Sequence, residues 1–73
     1  MDIIKLQMLL KESGIPDEMY NLCEVGRDDE RFCLRKKENQ WQVYFAERGV
    51  HTIDEMFNTE AEACQYIYDQ LMD

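Results

Sequence analysis

The sequence predicts an α+β fold: a single antiparallel three- to four-stranded sheet with N- and C-terminal helices packed on one face, in the order α-β-β-β-β-α. Three observations carry this expectation. Apolar residues recur at helical spacing near both ends of the chain, they alternate with polar residues in the middle, and 73 residues can bury only one core. A single domain over residues 1–73 follows.

The first helix has a start and a stop. Asp2 suits an N-cap, and Ile3, Leu6, Leu9 and Leu10 fall at helical spacing against Lys5, Gln7, Lys11 and Glu12. Gly14 can take the left-handed C-cap conformation, Ile15 can fold back on the last turn, and Pro16 blocks continuation. Tyr20 to Val25 alternates weakly and reads as a short first strand of uncertain register. Arg31 to Lys37 alternates better, with Phe32 and Leu34 on one side and Arg31, Cys33, Arg35 and Lys37 on the other. The strongest strand is Gln40 to Glu47: Trp41, Val43 and Phe45 share one face, and Gln42, Tyr44 and Ala46 share the other. After the Arg48-Gly49 turn, Val50 to Phe57 puts Ile53 and Phe57 on the side of His51 and Glu55, an imperfect pattern that leaves room for a bulge. Thr59 and Glu62 form a Thr-x-x-Glu capping box at the start of the last helix, where Ala63, Cys64, Ile67 and Leu71 face inward and Glu62, Gln65 and Asp69 face water.

Charge is segregated along the chain. Residues 1–30 carry three basic against eight acidic groups, residues 31–48 carry five against two, and residues 49–73 carry six acidic groups with no Lys or Arg. The formal net charge is −8, so the averaged field repels nucleic acid and anionic lipid and attracts basic protein surfaces. No run of 18 apolar residues is present to span a bilayer, and the three scattered cysteines give no disulfide framework. A cytoplasmic location is expected.

No motif in the chain specifies a reaction. Cys23, Cys33, Cys64 and His51 lack the paired spacing of a zinc site, the single histidine sits in the least regular strand with no motif around it, and no glycine-rich phosphate loop exists. No enzyme activity, metal or cofactor is expected. Cys33, if it points outward between Arg31 and Arg35, would be an exposed thiol whose thiolate those charges favour.

The stretch Trp41-Gln42-Val43-Tyr44-Phe45-Ala46-Glu47-Arg48-Gly49, followed by Phe57-Asn58-Thr59-Glu60-Ala61-Glu62-Ala63, resembles small acidic uncharacterised bacterial proteins, some of which look like immunity proteins encoded beside polymorphic toxins. The likeness runs from the Leu-rich first helix through Gly14-Ile15-Pro16 to the last helix, and it implies a partner protein and no catalytic residues. The Trp-x-Val and Phe-x-Thr-x-x-x-Ala pattern is also similar to the sheet-and-helix domains with which phage-type integrases grip DNA. Those domains are basic where this chain is acidic, so that likeness implies architecture only. The element order is loosely similar to a double-stranded-RNA-binding domain, but Thr59-Glu60-Ala61-Glu62 stands where that family has a basic cluster.

Two binding surfaces are therefore expected. The leading one is acidic, with Asp28, Asp29 and Glu30 after the first strand and Glu62 and Asp69 on the last helix blocking a basic cleft of a toxin or nuclease. The alternative is the outer sheet face, where Arg31, Arg35, Lys37 and the outward ring of Tyr44 would bind an acidic peptide or nucleic acid. A monomer or a weak homodimer through a strand edge is the expected state.

Overall fold

Asp2 opens the first helix as the spacing predicts. In the computed structural model, which describes residues 1–73, its carboxylate accepts the Lys5 amide at 2.8 Å and α1 runs Ile3–Glu12. Gly14 ends the turn at φ 78°, a left-handed conformation that costs glycine little, and the Ile15 amide donates to the Leu10 carbonyl at 3.0 Å. Ile15 then packs against the core. A 3₁₀ turn at Asp17–Met19 leads to β1 (Tyr20–Leu22), followed by β2 (Phe32–Lys37), β3 (Gln40–Glu47), β4 (Val50–Phe57) and α2 (Glu60–Met72). The order α-β-β-β-β-α is the expected one. No helix is long and apolar enough to cross a membrane.

The four strands form one sheet in the order β1-β2-β3-β4. β2, β3 and β4 are antiparallel neighbours, whereas β1 runs parallel to β2 with Tyr20 beside Phe32 and Leu22 beside Leu34. This corrects the expectation of a purely antiparallel sheet. A hairpin reverses the chain within a few residues, but residues 23–31 carry it back to the end of the sheet from which β1 started, and only a parallel strand can follow. β1 also stops at Leu22 rather than Val25, because Cys23 adopts φ 60° and turns the chain out of the sheet.

Alternation decides what lies under the helices. Tyr20, Leu22, Leu34 and Val43 share the inner sheet face and meet Leu6 and Leu10 of α1 and Ala63, Cys64 and Ile67 of α2. Trp41, Phe32 and Phe57 pack at the margins, and the Lys36 ammonium lies 4.8 Å from the Trp41 ring centroid. The two helices are joined at their starts. Thr59 accepts the Glu62 amide at 3.2 Å as N-cap of α2, while Glu60 accepts the Ile3 amide at 2.9 Å, so the first turn of α2 satisfies an orphan donor of α1. Glu62 does not close the capping box onto the Thr59 backbone. Its carboxylate accepts the Thr59 hydroxyl at 3.0 Å instead.

The β3–β4 hairpin turns through Arg48 at φ 53° and Gly49 at φ 80°, the paired positive angles that suit a two-residue hairpin loop. Beyond it the register shifts: Phe45 faces Ile53, but Ala46 faces His51, leaving Thr52 as the extra residue. The bulge moves His51 to the outer face while Ile53, Glu55 and Phe57 stay on the inner one. Strict alternation had put His51 with Ile53.

Candidate functional site

The outer sheet face is not an open platform. Residues 23–31 form a strap across part of it, held at both ends by hydrogen bonds to the strands. At the β1 end the buried Asn21 amide donates to the Arg27 carbonyl at 3.1 Å and its oxygen accepts the Glu24 amide at 2.9 Å. At the far end the Tyr44 hydroxyl donates to Asp28 Oδ2 at 3.0 Å, Asp29 Oδ1 accepts the Arg48 amide at 3.0 Å, and the Glu30 amide donates to the Ala46 carbonyl at 2.6 Å. Under the strap, Cys33, Tyr44 and Ala46 make a second, small core on the side away from the helices.

This overturns two expectations. Tyr44 keeps only 6% of its surface and is closed in by the strap, by the His51 ring stacked 4.3 Å away and by the Arg35 guanidinium 5.9 Å from its centroid, so no base or peptide can stack on it. Cys33 is fully buried, with its thiol 3.5 Å from the Asp28 and Arg31 carbonyls, and burial pushes its pKa up despite Arg35 and Arg31 nearby. It is a packed side chain and not a reactive thiolate. Alternation correctly placed both residues on the outer face, but it carries no information about what covers that face.

The other predicted residues divide by role. Arg35 donates to the Asn21 side-chain oxygen at 3.2 Å and to the Leu34 carbonyl at 2.9 Å, so its guanidinium helps hold the strap's first anchor. Arg31 is half-buried, and of the four residues proposed for the sheet face Lys37 alone is exposed. Asp28 and Asp29 spend carboxylate oxygens on the strap, and Glu30 is exposed at φ 58° beside them. Glu62 and Asp69 are exposed on α2, on the opposite side of the sheet from Asp28. The five acidic residues thus form two separate groups.

Glu62 and Asp69 are brought together with residues that the sequence did not single out. They rim a shallow groove of about 490 Å³ lined by Met1, Phe57, Ala61 and Tyr66. Phe57 and Tyr66 meet with ring centroids 5.2 Å apart, and Gln65 donates to Asp69 at 2.9 Å along the rim. A second cleft of about 280 Å³, near the start of the strap, mixes Arg27 and Arg31 with Asp17 and Glu24 and so presents no single sign of charge.

Buried phenol and thiol groups on both faces of the sheet make stability sensitive to alkali. Burial first, and then the hydrogen bond to Asp28, raises the Tyr44 pKa above 10.0, while burial raises Cys33 above 9.0 and Cys64 from 9.0 to about 11. The folded chain holds protons that the unfolded chain releases, so these groups contribute fully below pH 9 and their contribution is lost as pH rises through the folded-state values. Urea midpoints should therefore be level from pH 7 to 9 and fall above it, more shallowly in Tyr44→Phe. A midpoint that stays level to pH 11 would contradict this.

Compared with protein-family models, with curated proteins and with solved structures, the chain matches none.

Proposed function

We propose that this chain is a non-enzymatic binding module that works in the cytoplasm and engages a partner protein through an acidic surface. The observation that carries this reading is the charge of the last third: six carboxylates and no Lys or Arg in residues 49–73, with Glu62 and Asp69 placed on the rim of an apolar groove. Apolar lining with a charged rim is the ordinary anatomy of a protein interface. An acidic rim selects a basic partner and speeds encounter with it, most at low salt. A toxin or nuclease fits, because its cleft is basic in order to hold phosphate, and the likeness to immunity proteins points the same way.

The sheet-face alternative has lost its aromatic to the strap, and nothing about Arg31 or Lys37 favours it independently. Charge reversal tests the choice. The chain is co-expressed with the product of the reading frame next to its own, and growth is followed. Glu62→Lys with Asp69→Lys should abolish rescue from toxicity and slow association by at least tenfold, while Lys37→Glu should change neither. Rescue that survives the acidic double reversal and fails with Lys37→Glu would overturn the proposal.

A further inference from the structure

β4 is an edge strand of eight residues, and only β3 pairs with it. Every second residue of such a strand points its N–H and C=O away from its neighbour, a ready template for another strand. The opposite edge, β1, offers three residues. Exposed side chains run along β4, with Val50 at 63% and Met56 at 46% of full exposure. The bulge at Thr52 bends its first part, which leaves Ile53–Phe57 as the regular stretch.

The charge on that stretch says what can pair with it. Asp54 and Glu55 are adjacent and exposed, so one carboxylate stands on each face of the sheet, and residues 49–73 hold no Lys or Arg to offset them. Hydrogen bonds from Gln42 at 2.9 Å and from His51 at 3.0 Å hold Asp54 ionised, below its usual carboxylate pKa. A second copy pairing antiparallel about this stretch would set carboxylate against carboxylate, between molecules that each carry −8. Self-pairing is disfavoured, and a strand with two consecutive basic residues is matched, one to each face.

The end of β4 adds a further selection. Phe57 shares the inner face with Glu55, two residues along, and also lines the groove beside α2. A strand lying antiparallel along β4 would present to that groove the side chain opposite Phe57, and two residues later a side chain opposite Glu55. We propose that β4 binds an extended segment of the partner by strand addition, the segment reading aromatic or large aliphatic, any residue, basic, basic, opposite Phe57, Met56, Glu55 and Asp54. This rests on the reading above that the partner is basic.

The test uses three eight-residue synthetic peptides and the ¹⁵N-labelled full chain, followed by NMR. The first carries Trp, Val, Lys and Arg at four consecutive positions; the second is identical but N-methylated at alternate backbone nitrogens; the third has Glu in place of Lys and Arg. The first should shift the amides of Ile53–Phe57 and slow their hydrogen exchange. The second should bind at least tenfold more weakly, and the third should not bind. Glu55→Lys, at an exposed residue with no side-chain hydrogen bond, should weaken the first peptide at least tenfold with an unchanged circular dichroism spectrum. Equal binding of the methylated peptide, shifts elsewhere than β4, or no binding of the first peptide would overturn strand addition. Equal binding of the Glu peptide would instead overturn the basic-partner reading.

Discussion

Leu34→Ala should remove a large share of the stability of this protein. Leu34 is fully buried at the point where the parallel β1 pairing and the antiparallel β3 pairing meet, with Leu22 on one side and Val43 on the other. Both helices pack over this face, so the space left by the missing carbons has little backbone freedom to collapse into. Such a change costs about 2–5 kcal/mol. At roughly 0.05–0.15 kcal/mol per residue, a chain of this size has about 4–11 kcal/mol to lose. A cost near 3 kcal/mol corresponds to a melting temperature lowered by roughly 12–24 °C. Val50→Ala, on the exposed edge, should stay within about 0.5 kcal/mol of wild type. Thermal melts of the two variants check the contrast, and a Leu34→Ala shift of only a few degrees would mean that this position is not the centre of the core.

Tyr44→Ala should be at least as damaging, through the opposite face of the sheet. It removes a buried ring, its stack on His51 and the hydroxyl that holds Asp28, at a cost of about 3–5 kcal/mol by analogy with other buried aromatics. Tyr44→Phe keeps the ring and loses only the hydrogen bond, about 1 kcal/mol. Thiol labelling separates release of the strap from general loosening. In the native wild type Cys23 is exposed and should label first, with Cys33 and Cys64 protected. Tyr44→Ala should make Cys33 the second thiol to react while Cys64, under the helices, stays slow. If Cys33 labels at the same rate in both proteins, the strap does not shield it.

Those two residues also mark where reading the sequence succeeds and where it stops. Leu34 belongs to a period-two pattern, and the chain geometry of a strand fixes the side on which such a residue lies. Tyr44 belongs to the same kind of pattern and its side was equally legible. Its burial was not, because the cover comes from residues 23–31, whose position depends on Asn21 of β1 holding the Arg27 carbonyl and on Asp28 accepting the Tyr44 hydroxyl of β3.

The order of elements, both ends of the first helix, the start of the last and the two faces of the β2–β3 hairpin are legible in the sequence, because caps, turns and alternation act between residues close along the chain. The acidity of the last third is legible there too. The rest depended on packing: that β1 joins the sheet parallel, that the strap covers Cys33, Tyr44 and Ala46 on the outer face, that the bulge turns His51 onto Tyr44, and that Glu62 and Asp69 share a groove with Phe57 and Tyr66 while Asp28 and Asp29 serve as anchors. Each depends on contacts between residues far apart in sequence, where register and packing choose among partners that local pattern leaves equivalent.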